Sequence, residues 1–364
     1  MKSRISVTFL TFSSILSVFG DPSPSTVQSE FKKYKEDYER EYDNKFEEYK
    51  ARKNFGTTLK MVEEHNAAFE EGKSPFKMDL NRFADKDPQK LRQITTNTAP
   101  LTPLMMGRAI SVINETRYPP GPPFVDWRTS NCITPVKDQS YFCNSCYAFS
   151  GIAALEAQWC LKTGQLVTMS EQQIIDCTYN SFYGNWGCDG GSQATAYVRI
   201  QQNGGIESDV TYPYLETYGH TDRFPCKFNK SRAVATAGGY YRIKPYKEAQ
   251  LANIIAIVGP VSAAMNGSTP SFWYYSSGVY SDPQCTQSTS HSVLIVGYGT
   301  DYSVTPPMDY WLCKNSWSSD WGDNGYFKIQ RGVNMCGISG FLIFPEIPLA
   351  NITRTTTTAS PWIG

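Results

Sequence analysis

The sequence predicts an α+β fold of two lobes, preceded by a separate helical segment. Apolar residues recur at helical spacing up to about residue 203, whereas short runs rich in Val, Ile and Tyr dominate from about residue 233. Helices followed by strands are typical of α+β proteins, whose binding sites often lie between the lobes. The 364 residues suffice for two or three folded units, and 14% aromatic and 40% hydrophobic residues exclude a mainly disordered chain.

The first twenty residues have the pattern of a secretory signal peptide. Lys2 and Arg4 precede an apolar run from Ile5 to Phe19 that also contains Ser and Thr. A membrane anchor would need about 20 strongly apolar residues, so we expect no membrane span. We expect a secretory-pathway protein, lysosomal or extracellular, that folds in an oxidising compartment. N-glycosylation sequons fit that route and start at Asn114, Asn229, Asn266 and Asn351.

The density of charged residues divides the rest of the chain near residue 118. Residues 21–118 hold 17 basic and 17 acidic side chains among 98 residues, whereas residues 119–364 hold 15 and 17 among 246. The proline-rich junction over 118–123 is a stiff, extended linker, and we expect cleavage there. The zero net charge provides no field to attract nucleic acid, so we expect no nucleic-acid partner. The predicted units are therefore a signal peptide (1–20), a helical segment (21–118), a second domain (119–345) and a flexible Thr-rich tail (346–364).

The segment over 21–118 is predicted to contain one helical arm followed by a strand. Residues 27–71 lack proline, are rich in Glu, Lys and Tyr, and carry apolar residues at helical spacing. One face of this arm combines charged and apolar positions: Glu48, Arg52, Phe55, Val62 and Asn66. Residues 76–80 have the pattern of a strand. The arm is either a solvated, salt-bridged helix or a domain that needs a partner to pack against.

In the second domain, predicted helices precede predicted strands. The helices cover 146–161, 171–177, 192–202 and 248–258. The second of these begins with Ser170 and Gln173 in the positions of a capping box. The strands include 291–297, 310–315 and 326–330.

Cys146 has the surroundings of a nucleophile. It begins a predicted helix, where unpaired backbone N–H groups and the helix dipole stabilise a thiolate. Cys143, three residues earlier, leaves open a disulfide or zinc role for the pair. The sequence has no further close Cys or His pair, so we expect no metal and no cofactor.

A thiolate nucleophile requires a base, and the second domain contains only His220 and His291. His220 lies in a polar loop. His291 opens an apolar strand between Ser290 and Ser292, which are small enough to leave its ring accessible. The alternative for a lone His on such a strand is a satisfied core residue.

Two amide side chains are candidates to assist this pair. Asn315 ends a predicted strand, where its amide can accept a hydrogen bond from the imidazole and orient the ring. Gln139, seven residues before Cys146, can donate to a developing oxyanion alongside the Cys146 backbone N–H. Alternatively, each is an ordinary local hydrogen-bonding residue.

These residues resemble the papain family of cysteine proteases, closest to its cathepsin L type. The motif Cys143-Asn144-Ser145-Cys146-Tyr147 is similar to the family's local signature, and His291 lies 145 residues further along the chain. Other segments share the resemblance: 125–128, 187–191, 314–317 and 321–322. The helical arm resembles the family's inhibitory propeptide through the five residues of its marked face together with Asn81, Phe83 and Asp85.

The resemblance implies a papain-like two-lobed fold with a helical left lobe and a β-barrel-like right lobe, preceded by a helical inhibitory propeptide. It implies the monomeric zymogen of an endopeptidase, with a peptide or protein as substrate and its own propeptide as intramolecular inhibitor. The residue roles that it implies are attack on the carbonyl by Cys146, proton transfer by His291, orientation of that ring by Asn315, oxyanion stabilisation by Gln139, and shielding of the Asn–His bond by Trp317.

The resemblance also implies a substrate-binding surface. Gly190, Gly191 and Trp317 would contact the substrate. The subsite for the second residue before the cut would be lined by an unusually polar set: Ser192, Gln193, Ala264, Thr289, Ser292 and a residue near Phe341. No His-bearing occluding loop lies between Cys177 and Cys188, which favours an endopeptidase over a dipeptidase.

Three disulfides are implied by the resemblance: Cys143–Cys188, Cys177–Cys226 and Cys285–Cys336. Of the other cysteines, Cys313 lies in the middle of a strand and is expected to be a buried thiol. Cys132 and Cys160 are then left to form an additional disulfide.

Four features depart from the family pattern. The interval from Gln139 to Cys146 is one residue longer, Ser140 and Asn144 each replace a Gly, and Tyr147 replaces a Trp. We expect Asn144 to disturb the geometry most, because it places a Cβ atom where the family has none. The alternative function is therefore a catalytically impaired homologue that acts as a binding protein.

Overall fold

The computed structural model describes residues 21–95, 109–113, 118–179, 184–215 and 225–348. The predicted signal peptide, His220, Asn114, Asn351 and residues 349–364 of the Thr-rich tail lie outside these ranges. Among the described residues, no helix has the length and apolar character that a bilayer crossing requires.

Helices dominate the first half of the chain and strands the second. The helices are α1 (Pro24–Asp37), α2 (Lys45–Glu70), α3 (Pro88–Ile94), α4 (Cys146–Thr163), α5 (Glu171–Cys177), α6 (Gln193–Asn203), α7 (Glu248–Val258) and α8 (Pro270–Trp273). The strands are β1 (Phe76–Met78), β2 (Ser111–Ile113), β3 (Val125–Asp126), β4 (Ile206–Glu207), β5 (Ala233–Ala235), β6 (Gly239–Ile243), β7 (Val261–Met265), β8 (Tyr275–Tyr280), β9 (His291–Asp301), β10 (Met308–Lys314), β11 (Tyr326–Gln330) and β12 (Phe341–Glu346). The predicted α+β class is confirmed.

The predicted single arm over 27–71 is wrong, because the chain breaks it into α1 and α2. Glu39 adopts a left-handed φ of 51°, and Asn44 then caps α2 by accepting from the backbone N–H groups of Phe46 and Glu47. The helices pack through aromatic rings, with 5.4 Å between the ring centroids of Phe31 and Phe55. On the predicted face, Phe55 and Val62 are buried, whereas the three polar residues are half-buried: Glu48, Arg52 and Asn66.

Strands from the N-terminal segment lie at both edges of the main sheet. β1 pairs antiparallel with β8, and β2 pairs parallel with β6. The order across the sheet is β1, β8, β11, β10, β9, β7, β12, β6 and β2, and β3 pairs with β9. An edge strand presents unpaired N–H and C=O groups, so the N-terminal segment covers both edges of the sheet that carries His291.

Helices α4, α5 and α6 form the layer that carries Cys146. Gly164 ends α4 in a left-handed conformation with φ of 76°. Ser170 caps α5 by accepting from the Gln173 backbone N–H. The apolar side of α4 packs against β9 and α6, and a Cβ at Gly151 would lie in ordinary contact with the Gln193 Cβ at 3.4 Å. This packing places the amino end of α4 against the sheet.

The structure contains four disulfides, which are the same four pairs that were named from the sequence: Cys132–Cys160, Cys143–Cys188, Cys177–Cys226 and Cys285–Cys336. Cys146 and Cys313 are free and buried. Cys313 lies within β10, where burial raises its pKa well above the ordinary value of a thiol.

The junction after residue 118 forms neither a helix nor a strand and lies against the second domain. The Gly121 backbone N–H donates to the Asn253 side chain at 3.0 Å, and the Tyr298 hydroxyl donates to the Pro122 carbonyl at 2.8 Å. Asn253 lies in α7, and Tyr298 lies in β9 of the main sheet. The chain therefore enters the second domain through a fixed path.

Asn266 requires a correction among the expected glycosylation sites. Its side chain is buried, and its amide nitrogen donates to the Thr286 hydroxyl at 2.8 Å. A glycan on that nitrogen would displace this bond, and the residue is only 7% exposed, so we remove Asn266 from the expected sites. Asn229 is exposed and stays a predicted site.

Candidate active site

Cys146 is a free thiol at the amino end of α4 and is 1% exposed. Its Sγ lies 3.8 Å from Asn144 Oδ1, and the backbone N–H of Ser292 faces it from β9. Since Ser292 directly follows His291, the helix and the sheet bring the predicted nucleophile and base to the same place. Backbone N–H groups at the helix start favour the thiolate form.

His291 and Asn315 are joined by a hydrogen bond of 2.8 Å between Nε2 and Oδ1. Antiparallel pairing of β9 and β10 brings them together, because it places the start of one strand beside the end of the other. The same Oδ1 accepts the Ser316 backbone N–H at 2.9 Å, which identifies it as the amide oxygen. Nε2 therefore carries the proton, and Nδ1 of the neutral ring is the basic nitrogen.

The expected accessibility of the His291 ring is wrong. The residue is 1% exposed, because the Trp317 ring stacks on the imidazole with 4.7 Å between centroids and an angle of 29°. Gly267 closes another side, since a Cβ there would lie only 2.6 Å from the His291 Cβ. The small neighbours Ser290 and Ser292 do not open the ring, because other elements cover it.

Burial sets the protonation of this pair. It raises the pKa of the Cys146 thiol to about 11, against the lowering effect of nearby N–H groups, and lowers the pKa of His291 to about 4. Both groups are consequently neutral at neutral pH in this covered state.

Gln139 is held in a single orientation. Its Oε1 accepts the Ser316 hydroxyl at 2.7 Å, and its Nε2 donates to the Cys143 carbonyl at 3.0 Å. The Gln139 backbone N–H also donates to the Ser316 carbonyl at 2.9 Å. The second Nε2 proton has no acceptor among the described residues and is free for a ligand. The sequence interpretation missed Ser316, although it lies between two motif residues.

The lengthened loop is strained at Ser140, not at Asn144. Ser140 has φ of 65°, in the left-handed region where glycine is favoured, whereas Asn144 is outside that region. The Asn144 backbone N–H donates to the Cys188 carbonyl at 2.9 Å, so its Cβ is accommodated in ordinary geometry. Our expectation that Asn144 disturbs the loop most is therefore wrong. Tyr147 is also well placed, because its buried hydroxyl donates to the Gly187 carbonyl at 3.0 Å.

Tyr214 is a further loop-positioning residue. Its hydroxyl donates to the Gln139 carbonyl at 2.7 Å and lies 3.0 Å from the Ser145 hydroxyl oxygen. One phenol thus joins the two ends of the loop that precedes Cys146. No local pattern in the sequence identifies this residue, because it lies 75 positions from Gln139.

A buried charge network lies beneath both sides of the site. Lys137 Nζ lies 2.8 Å from Glu156 and 2.7 Å from Glu171, and Thr134 donates to the other Glu156 oxygen at 2.6 Å. Lys314 in turn donates to the Thr134 carbonyl at 2.7 Å. Since Lys137 precedes the Gln139 loop and Lys314 precedes Asn315, one network anchors both segments.

The predicted subsite residues occupy two regions. In the sheet, Ala264 is the register partner of Ser292 and of Phe341, so these three lie on adjacent strands. At the start of α6, Ser192 Oγ and Gln193 Nε2 are buried and have no hydrogen-bond partner within the described ranges. Thr289 is half-buried before β9.

Gly190 and Gly191 lie just before α6. Gly190 has a φ of 106°, and a Cβ at Gly191 would lie 2.5 Å from Asn185 Oδ1. Only glycine fits both positions without rearrangement. Substrate binding by these residues stays a prediction.

The N-terminal unit, residues 21–95, packs beside this site. The Phe83 ring meets the Trp317 ring edge-on at 5.5 Å, and Asn81 Nδ2 donates to the Trp273 carbonyl at 2.8 Å. Further along, the Ser268 hydroxyl donates to the Thr95 carbonyl at 2.9 Å. In the described part of the chain, no group of three or more His, Cys, Asp or Glu side chains is arranged to hold a metal ion.

Comparisons with known proteins agree with this geometry. Residues 121–345 match the papain family cysteine protease model, and residues 31–91 match the cathepsin propeptide inhibitor domain. Cathepsin L of Sarcophaga peregrina is 38% identical over 327 residues, covering 88% of this chain and 93% of that protein. Human cathepsin L2 is 39% identical over 298 residues, covering 79% of this chain and 84% of that protein.

A solved structure has the same architecture over most of both chains. The digestive procathepsin L 3 of Tenebrio molitor larval midgut superposes with a TM-score of 0.77 at 34% identity, covering 88% of this chain and 99% of that one. The predicted papain-like fold is thereby confirmed. The chain belongs to the papain family of cysteine proteases and carries a cathepsin-type propeptide inhibitor domain.

Proposed function

We propose that the protein is the secreted zymogen of a cysteine endopeptidase that hydrolyses peptide bonds through Cys146, His291 and Asn315. The observation that carries this proposal is the 2.8 Å bond between His291 Nε2 and Asn315 Oδ1. It leaves the basic Nδ1 nitrogen for the thiol that begins α4.

The proposed reaction has two halves. His291 Nδ1 takes the Cys146 thiol proton, and the resulting thiolate attacks the peptide carbonyl carbon. The oxyanion accepts from the Cys146 backbone N–H and from the free Nε2 proton of Gln139. His291 then returns its proton to the leaving amine, and a water molecule activated by the same ring hydrolyses the thioester.

Latency follows from the position of the N-terminal unit. Phe83 lies on Trp317, and the covered site holds both the thiol and the imidazole neutral. Removal of residues 21–118 after cleavage at the proline-rich junction would rehydrate the site and favour the thiolate–imidazolium pair. Acid promotes this change, because it charges His291 more readily in the uncovered state than in the buried one.

Secretion is supported by the four disulfides, which persist in oxidising compartments. The predicted signal peptide and the exposed sequon at Asn229 are consistent with the same route. The protein would then act in a lysosomal or extracellular space.

The test is stoichiometric labelling of the acid-activated protein with an epoxide-type thiol-protease inhibitor, read by mass spectrometry. We expect one label, on Cys146, and none on Cys313, which is equally free but enclosed in the sheet. Cys146→Ala should abolish labelling and peptide hydrolysis while circular dichroism stays unchanged.

A folded, processed protein that gives neither a label nor hydrolysis would contradict the proposal. It would favour the alternative of a catalytically impaired homologue that acts as a binding protein.

A further inference from the structure

Arg82 of the N-terminal unit is held by two carboxylates of the second domain. Its guanidinium contacts the Asp138 carboxylate directly, and Nη1 lies 3.8 Å from Asp320 Oδ1. Arg40 Nη2 donates to the Arg82 carbonyl and fixes the loop that presents this side chain. One cation therefore occupies a site made by two separate loops of the second domain.

A second cation of the N-terminal unit lies next to this site. The Lys86 ammonium is 5.6 Å from the centroid of the Tyr141 ring, a distance typical of a cation–π contact. The Tyr141 hydroxyl is buried and has no hydrogen-bond partner in the part of the chain that the structure describes. Tyr141 belongs to the lengthened loop after Gln139, so that loop contributes an aromatic face beside the Asp138 carboxylate.

These acidic and aromatic groups adjoin Gln139, the predicted oxyanion donor, and Trp317, the ring that covers the predicted base. Asp138 directly precedes Gln139 and pairs through its backbone with Trp317, and Asp320 follows Trp317 by three positions. The Trp317 ring stacks on His291, which must hand its proton to the leaving amine. A peptide in the cleft therefore places the residues after the scissile bond towards Asp138 and Asp320.

We propose that Asp138, Asp320 and the Tyr141 ring form a subsite, in the activated protein, for a basic side chain within the first three residues after the scissile bond. This inference rests on the proposed function and names a substrate class for it. In the zymogen, Arg82 and Lys86 occupy the site. Their removal leaves the two carboxylates without a cation among the described residues, and a substrate Arg or Lys restores the lost pairing.

Arginine suits this site better than lysine. Its planar fork can donate to two carboxylates at once, and it stacks on aromatic faces. The Asp138 and Asp320 side chains are 29% and 47% exposed even beneath the N-terminal unit, so water and salt weaken the attraction. We expect a preference of about 10-fold in kcat/KM, which falls at high salt.

The experiment uses the full chain after acid activation and internally quenched peptides that differ at one position. Each peptide pair carries Arg or its neutral isostere citrulline at the first, second or third residue after the cut. We expect about 10-fold higher kcat/KM for Arg at one of these positions. In Asp138→Asn/Asp320→Asn we expect the ratio of Arg to citrulline to approach one.

Two features of the design separate charge recognition from damage to the loop. Asn at position 138 keeps the side-chain oxygen that accepts the Ser140 backbone N–H at 2.9 Å. The matched control is Asp309→Asn, which removes a carboxylate paired with Arg331 elsewhere in the sheet and should leave the ratio at about 10.

The outcomes distinguish this inference from the proposed function. Equal rates for Arg and citrulline at all three positions, in an enzyme that cleaves both peptides, would overturn the subsite and leave the proposed function intact. An activated protein that cleaves neither peptide would contradict the proposed function. In that case the dissociation constants of the two peptides test the subsite. Tighter binding of the Arg peptide than of the citrulline peptide supports it, and equal binding overturns it.

Discussion

The candidate site lies between a helical wall, which carries Cys146 on α4, and a sheet wall, which carries His291 on β9. The two walls are held in place by different kinds of interaction. On the helical wall, Cys143 is bonded to Cys188, and single side-chain hydrogen bonds from Ser316 and Tyr214 hold the Gln139 loop. On the sheet wall, strand register places His291 beside Asn315, and aromatic rings enclose them. Ring centroids in that enclosure are 5.5 Å apart between Phe272 and Trp317 and 5.0 Å apart between Trp317 and Trp321.

This difference separates two ways of positioning a reactive group. The position of His291 is set by many backbone hydrogen bonds between neighbouring strands, so no single side chain determines it. The loop wall depends on a few bonds, each of which one substitution removes. Substitutions of the side chains that hold the loop should therefore lower turnover as well as stability, whereas the sheet wall should act mainly through the burial and protonation of His291.

Apart from the loss of hydrolysis in Cys146→Ala, the largest expected effect on turnover is that of Gln139→Ala in the activated protein. We expect the acylation rate to fall by about 10²–10³ with substrate affinity nearly unchanged, because this hydrogen bond strengthens only as charge develops on the oxygen. Single-turnover kinetics measures the two effects separately. The matched variant Ser316→Ala frees the Gln139 side chain but keeps its amide. It should lower the acylation rate by about 2–10-fold. An unaltered acylation rate in Gln139→Ala would remove this residue from the mechanism.

The sheet wall is tested through the protonation of His291. In the zymogen we expect its pKa at about 4, against an ordinary value of 6.5, because burial disfavours the imidazolium. As pH falls, His291 takes up a proton at a higher pH in the uncovered state than in the covered zymogen. The covered state therefore loses stability relative to the uncovered state as pH falls from about 6.5 to about 4.

Imidazole NMR of the Cys146→Ala zymogen measures this titration, and His291→Gln assigns the signal. His65 is only half-buried and serves as the internal comparison. A His291 signal that titrates near its ordinary value would contradict the proposed origin of latency.

Tyr214→Phe should have a smaller effect that falls mainly on the loop. We expect a loss of about 1 kcal/mol in the free energy of unfolding, since the Gln139 carbonyl loses its hydrogen-bond donor, and a decrease of about 3–5-fold in kcat/KM. Tyr197→Phe is the control, because it removes a similar buried bond, 2.9 Å to the Gly151 carbonyl, away from the loop. Tyr197→Phe should lower the free energy of unfolding and leave kcat/KM unchanged. Equal kinetic effects in both variants would show that Tyr214 does not position the loop.

The smallest expected effect is that of Ser140→Gly. Glycine adopts the left-handed conformation at φ of 65° without strain, but it also increases the entropy of the unfolded chain. We expect a net increase of about 0.5 kcal/mol in the free energy of unfolding. Thermal unfolding measures it. Asn144→Gly should change stability in the opposite direction, because Asn144 does not adopt a positive φ. Stabilisation by both substitutions would contradict the assignment of strain to Ser140 alone.

Local signals in the sequence predicted most of the elements and named the candidate reactive residues. Helix α5 begins and ends where the capping box at Ser170 and the apolar spacing predicted, and α7 covers its predicted range. The motifs around Cys146, His291 and Asn315 indicated a Cys–His–Asn site, because each residue type stands in a short, recognisable context. The break between α1 and α2 escaped prediction, since a left-handed Glu39 has no strong local signature.

Tertiary contacts alone decided how the reactive residues are held and covered. The sequence placed Gln139 before the nucleophile, but only the fold brings Tyr214 and Ser316 to it. The accessible ring expected for His291 is buried because Trp317 and Gly267, distant in the chain, close around it. Arg82 likewise meets Asp138 and Asp320 only after the N-terminal unit packs on the second domain. Propensities and caps act over a few residues and can be identified in the sequence, whereas burial and long-range pairing arise when distant segments pack together.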